Sequence, residues 1–299
     1  MSVKKLRINI DNEGRRIDNF LISLYKNIPK SKIYKIIRKG EVRVNSSWIK
    51  AHYKLVANDI VRIPPNLHSD KIIEKRIRDD DVEFYLDEIL YDDNNYLVIN
   101  KKRGISVHGG TKNYIGIIDL ARKKYGKEID LCHRLDKDTT GCLVLAKNKK
   151  SVKHFNESLK NQNISKNYSA ILKGNLMNDI NVDMPIYKND SNKLKSSTSK
   201  FKIVKEINNC TLVDVQIFTG RTHQIRIHAS SIGHPILFDN KYGDKEFNKL
   251  FKTKNQKDIM LHSRSIIFKD MNSKLIKINS DIPSKFKEFF QSHELKYNY

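Results

Sequence analysis

Cysteine is scarce: Cys132, Cys142 and Cys210 are the three in 299 residues, and no two of them form a C-x-x-C pair. That spacing excludes a zinc ribbon and a disulfide framework. Two of the three lie in or beside an apolar run, where cysteine behaves as a small hydrophobe. Long apolar runs are also absent. No stretch approaches the roughly 18 residues needed to cross a bilayer, and residues 1–12 carry no signal-peptide pattern, so a cytoplasmic protein is expected. Acidic residues are few, 34 Asp and Glu against 57 Lys and Arg, which leaves a net charge of +23 at pH 7. The shortage of negative charge calls for a polyanionic partner, nucleic acid or an anionic membrane surface. No amphipathic anchor or lipidation site supports the membrane. Part of the charge follows a lean toward Lys, Ile and Asn of the kind an AT-rich genome imposes.

The densest chemistry lies in residues 131–148, L-C-H-R-L-D-K-D-T-T-G-C-L-V-L-A-K-N. Residues 142–146 are continuously apolar and too few for a helix, so they read as a strand covered on both faces and entered through Gly141. The loop before it crowds His133, Arg134, Asp136, Asp138, Thr139 and Thr140 at the edge of a rigid element, where reacting groups are usually displayed. An ordinary polar turn before a core strand is the competing reading. A kinase catalytic loop, H-R-D-x-x-x-x-N, is a superficial rival, but the chain has neither G-x-G-x-x-G nor D-F-G.

Upstream, residues 14–65 have a pattern of their own. A helix over 16–25 carries Ile17, Phe20, Leu21 and Leu24 on one face. A second helix follows Pro29, with Ser31 as a candidate cap and Gly40 as its stop. Its apolar residues are Ile33, Ile36 and Ile37. Lys30, Lys32, Lys35, Arg38 and Lys39 take the other positions and could follow a phosphate backbone, with Arg43 beyond them. Strands over 41–45 and 59–64 complete a helix, helix, strand, strand order. Residues 66–83, with K-R-x-R and the acidic run 79–81, read as a linker, and residues 84–299 as the large domain.

In that domain, strands over 89–91 and 96–100 flank a hairpin turn. A helix near 115–124 leads to the central loop, and a basic helix over 151–160 follows it. Residues 167–174 read as a strand carrying Tyr168, and the polar residues 176–200 as a loop excursion. A strand over 211–218 then delivers G-R-T-H-Q-I-R, with Arg221 at the mouth of a helix that ends at Gly233 and Pro235. In a chain that mostly uses lysine, an arginine there suggests planar, bidentate geometry. His223, His228 and His234 lack an acidic companion and are split across the helix, so no metal is expected. Leu261 begins a further strand. A strand near 275–279 and a helix over 284–291 close the chain.

Several of these motifs together resemble one family. H-R-L-D-x-D-T-T-G before an apolar strand is similar to the signature of the ribosomal large-subunit pseudouridine synthases. K-K-R-G-I-S-V-H resembles their N-K-P-x-G-x-x-V-H, with Lys102 in place of proline. K-x-Y-x-A-x-x-x-G at Tyr168, G-R-T-H-Q-I-R-x-H at Arg221 and L-H at Leu261 follow in the same order. R-R-I-D-N-F-L and K-G-E-V-R-V-N resemble the S4 RNA-binding module, with Asn58 where that module usually has glycine. K-G-E-V-R-V-N, V-H-G-G and F-D-x-x-Y-G-D-x-E-F favour one member of the family over its sister.

The resemblance implies an α+β fold: a mostly antiparallel catalytic sheet with a central RNA-binding cleft, plus the small S4-like α/β module. It implies isomerisation of uridine to pseudouridine in 23S ribosomal RNA, with Asp136 catalytic and Arg221 its basic partner. Tyr168 and Leu261 would hold the base, with His133, Arg134 and Thr139 also at the substrate. The reaction has no redox step, so no cofactor is expected. The partner is 23S RNA or a large-subunit precursor, and the chain is expected to act as a monomer. The alternatives are a sister enzyme acting on other uridines and a non-catalytic RNA-binding assembly factor.

Overall fold

A computed structural model describes residues 3–25, 28–65, 77–109, 115–187, 193–251 and 258–294. The chain divides into two compact units, Met1–Arg76 and Ile77–Tyr299.

In the first unit, helices Ile17–Leu24 and Lys30–Arg38 accompany a four-stranded antiparallel sheet, ordered Lys4–Arg7, Ile60–Ile63, Arg43–Val44, Ser47–Trp48. Ile33, Ile36 and Ile37 recur at helical spacing and are buried with Ile17, Leu21, Val44 and Val61 in one core. Lys30, Lys35, Arg38, Lys39 and Arg43 are exposed and Lys32 is half-buried. Ser31 is not the cap. The helix begins two residues earlier than a Ser31 cap would set it, with Pro29 at the N-cap and its carbonyl accepting from the amides of Lys32 and Ile33, so Ser31 lies inside the first turn. Asn58 adopts φ +72°, the left-handed region that asparagine tolerates better than most residues. Strand Lys4–Arg7 is not expected from the sequence, because its K-K-L-R buries no residue fully and shows no alternation.

The second unit is built on a ten-stranded sheet. Its continuous path runs Ile180–Asp183, Thr198–Ile207, Cys210–Ile217, Ser165–Lys173, Leu261–Lys269, Thr140–Ala146, Tyr96–Lys101, Ile89–Asp92. Among the described residues every pairing is antiparallel except one, where Leu261–Lys269 meets Thr140–Ala146 in parallel. Thr140–Ala146 is covered on both faces: Leu143 and Leu145 join the larger core, while Cys142, Val144 and Ala146 join a smaller one with Phe155 and Phe268. The chain is thus a mixed α and β protein with a mostly antiparallel sheet.

Two expectations are corrected here. Residues 66–76 of the expected linker lie outside the described residues, but Asp79–Leu86 is a helix whose Val82 and Leu86 are buried in the large core. Its acidic run occupies the first turn, where carboxylates complement the helix dipole. Similarly, the expected excursion over 176–200 contains strands Ile180–Asp183, Ile186–Tyr187 and Leu194–Lys195 and the start of Thr198–Ile207, with residues 188–192 outside the described residues. The buried positions there include Ser197 and Ser199, so the apolar alternation that marks a strand is missing.

Candidate active site

Asp136 sits in the turn that feeds the buried strand, and the fold holds that turn from below. Lys101 ends strand Tyr96–Lys101, is fully buried, and donates from Nζ to the carbonyls of Lys102, Lys137 and Thr139 at 2.9, 3.0 and 2.9 Å. Burial pushes this ammonium down to about 8, against the pull of Asp138 and Asp136. The Gly104 amide also donates to the Lys137 carbonyl, and the Thr139 amide to that of Asp136. On the far side, Gly141 at φ +104° lets the chain enter the parallel pair: an added Cβ would lie 2.2 Å from the Ser263 carbonyl oxygen. Thr140 Oγ1 meets His262 Nδ1 at 2.8 Å, which ties the loop to the neighbouring strand.

The Asp136 carboxylate faces helix Gln224–Ser231. Arg226 Nη1 donates to Asp136 Oδ2 at 3.2 Å. The same guanidinium is clamped from behind by Asp239, Nε to Oδ2 at 2.7 Å and Nη2 to Oδ1 at 2.8 Å, and the amides of Lys241 and Tyr242 donate to Asp239 Oδ1. Burial opposes both charges of the clamp. Even so, the fork bonds hold Arg226 above its ordinary value, and together with the amides they hold Asp239 below its own. Tyr242 lies 5.2 Å from the guanidinium carbon across its ring, a cation–π contact.

His223 precedes the helix in the left-handed conformation, φ 56° and ψ 23°. Its Nε2 is 3.7 Å from Asp136 Oδ2 and its Nδ1 is 3.0 Å from the Tyr242 hydroxyl. Burial, with Arg226 and Lys241 beside it, holds the imidazole below its ordinary value despite Asp136. The turn is held by buried Gln224, whose Oε1 accepts from Thr219 Oγ1 and the Arg221 amide and whose Nε2 donates to the Thr198 carbonyl and Ser199 Oγ.

Arg221 does not pair with Asp136. It stands in the turn before the helix, and its Nε donates to the Ser196 carbonyl at 3.2 Å. Arg226 lies inside the first turns, on the side that faces the loop. Arg221 nevertheless lines the same small cavity of about 50 Å³ as Asp136, Arg134, Thr139, Tyr168 and Leu261. Tyr168 is 6% exposed, and burial raises its phenol far above the ordinary range. His133 is absent from that lining. Its Nε2 accepts from the Val144 amide at 3.1 Å, its ring stacks on Phe155, and burial pushes it down to about 3, so its ring is bound into the scaffold. It lines a second cavity of about 450 Å³ instead, which shares Arg134, Tyr168, Ile217, Gly220 and Arg221 with the first. Sequence reasoning missed Lys101, His223, Arg226, Asp239 and Tyr242 as site residues. The i to i+3 step from His223 to Arg226 and the F-D-x-x-Y run were the available signals.

Two family models match, RNA pseudouridylate synthase over residues 95–231 and S4 domain over residues 15–61. The chain is 38% identical over 307 residues to Ribosomal large subunit pseudouridine synthase C of Haemophilus influenzae, covering 97% of this chain and 95% of the relative. The chain belongs to the RNA pseudouridylate synthase family. The protein of the same description from Escherichia coli (strain K12) is 40% identical over 264 residues, 83% of this chain and 82% of the relative. Among solved structures, Human RNA Pseudouridylate Synthase Domain Containing 4 superposes with a TM-score of 0.60 at 26% identity, covering 71% of this chain and 95% of that one. The chain is therefore an RNA-acting isomerase of this family, with an S4 domain ahead of the synthase domain. Among the described residues no helix is long and apolar enough to cross a membrane.

Proposed function

We propose that this protein isomerises specific uridines of 23S ribosomal RNA to pseudouridine, with Asp136 as the reacting carboxylate. The observation that carries the reading is the relay in which buried Asp239 clamps Arg226 and Arg226 holds Asp136 at the mouth of a cavity walled by Tyr168 and Leu261. A glycoside hydrolase usually needs two carboxylates in contact with its substrate. Here the second carboxylate is spent on the arginine, and one reacting carboxylate is enough. Uracil leaves as a resonance-stabilised anion and stays bound, so Asp136 acts on the sugar alone, as nucleophile at C1′ or as base at C2′.

The N1–C1′ bond breaks, the base turns between Tyr168 and Leu261, C5 bonds to C1′, and the proton lost from C5 is balanced by one gained at N1. The flipped uridine costs least to extrude from single-stranded RNA. Arg134 and the Thr139 turn stand at the cavity where the target's own sugar and phosphate would lie. In the first unit, Lys30, Lys32, Lys35, Arg38, Lys39 and Arg43 neutralise phosphates. The enzyme works in the cytoplasm as a monomer, without cofactor or metal.

The test is incubation of unmodified large-subunit RNA, naked and as precursor particle, with wild-type protein and with Asp136→Asn, followed by mapping of pseudouridines. New pseudouridines at discrete positions with wild type only are expected. RNA binding with no new pseudouridine from either protein would favour a non-catalytic assembly factor.

A further inference from the structure

The second cavity, about 450 Å³, has the cations Arg134, Lys160, Lys166 and Arg221 on its wall and, among the described residues, no carboxylate. Lys166 is the unusual one. It is 5% exposed, and among the described residues no acid is paired with it. Its Nζ donates to the Thr219 carbonyl at 3.0 Å, which uses one of three protons. Burial first, then Arg221, push it down to about 8, so it still carries its charge at neutral pH. An ammonium kept from water beside a second cation is costly unless an anion joins it.

Position in the sheet adds to this. Lys166 and Tyr168 are two residues apart on Ser165–Lys173, so they face the same side about 6.6 Å apart along the strand. Gly220 leaves the space beside Nζ clear of a side chain, and Phe218, 42% exposed, stands on the same wall. A cationic pocket with an exposed aromatic ring is the combination that takes a single-stranded nucleotide, phosphate on the cations and base on the ring. We propose that this cavity binds the nucleotide next to the target uridine, with Lys166 and Arg221 on its phosphodiester and Phe218 under its base. This rests on the pseudouridine synthase reading of the Asp136 site and extends it by one nucleotide.

The test uses full-length protein and a large-subunit RNA fragment that carries the modified uridine. Each phosphodiester around that uridine is replaced in turn by a neutral methylphosphonate, and both affinity and turnover are read. One linkage adjacent to the uridine should weaken wild type about tenfold, the value of one charge-assisted contact. Lys166→Gln should lose a similar factor on ordinary RNA and clearly less than tenfold further at that linkage, since the Lys166 contact is already gone and Arg221 alone remains on the phosphate. Independent losses that multiply would overturn the proposal and leave Lys166 as a brace for the Thr219 turn. Should Lys166→Gln fail to fold, Phe218→Ala paired with an abasic flanking nucleotide makes the same comparison, and multiplying losses there count equally against it. A wild type that binds the fragment but forms no pseudouridine would sink the functional reading, while the affinity cycle still decides the subsite.

Discussion

At the scale of single residues, the site depends on one guanidinium that serves two carboxylates. Arg226→Gln would strand Asp239, whose side chain is fully buried, and uncompensated buried charges typically cost about 3 to 5 kcal/mol. A lower melting temperature is expected together with loss of turnover, and Arg226→Lys should restore little because a point charge cannot make the fork. A glutamine variant as stable and active as wild type would remove Arg226 from the relay. Asp136→Asn separates the roles differently. It keeps the shape of the side chain, so RNA affinity should survive while turnover vanishes, with folding checked by thermal unfolding. The loop that carries Asp136 was readable from the H-R-L-D run, but the arginine that its carboxylate meets was not. Arg221 and Arg226 share one motif, and only the start of the helix at Gln224 decides which of them faces the loop. Buried histidine adds a pH dependence. His262 is fully buried, and burial pushes it down to about 4 from 6.5. Between those values the unfolded chain binds a proton that the folded chain refuses, so this contribution to stability falls as pH drops from 6.5 to 4. His262→Gln should flatten that part of a denaturation-versus-pH curve, and an unchanged slope would exclude His262 as its source.

At the scale of elements, the turn bearing Asp136 is fixed by the strand on either side of it. Lys101 gathers three carbonyls from one strand end, and Gly141 lets the chain pass Ser263 of the parallel neighbour. Gly141→Ala should destabilise by about 2 to 4 kcal/mol, from a left-handed alanine and a Cβ pressed against backbone. A urea midpoint equal to wild type would show that the strands can move apart there. The sequence marked the strands whose buried positions are mostly apolar, such as Thr140–Ala146 and Cys210–Ile217. It concealed Thr198–Ile207, where Ser199 faces His228 and Gln224 rather than a greasy core. Helix Asp79–Leu86 was hidden by its own acidic first turn, which reads as linker until Val82 and Leu86 are seen to pack.

At the scale of the whole molecule, the chain has two compact units, and the proposed reading gives RNA binding to the first and chemistry to the second. Each has a core of its own, so removing residues 1–65 should leave the second unit folded, with its Asp136 relay intact. What the truncation removes is the exposed basic face of helix Lys30–Arg38 with Lys39 and Arg43. On single-stranded nucleic acid each neutralised phosphate contributes about 0.7 to the slope of log affinity against log salt. Loss of the six cations Lys30, Lys32, Lys35, Arg38, Lys39 and Arg43 should therefore make that slope shallower by roughly 2 to 4. KM for a large-subunit RNA fragment should rise while kcat at saturating RNA stays near wild type, because Asp136, Arg226 and Tyr168, to which the proposed reading gives the chemistry and the base, all lie beyond residue 77. Salt titrations of affinity with full-length and truncated protein read the first quantity, and steady-state kinetics the second. An equal salt slope and equal affinity would mean that the +23 charge acts through the second unit alone. A fall in kcat at saturating RNA, with the fold intact by thermal unfolding, would mean that the first unit also takes part after binding.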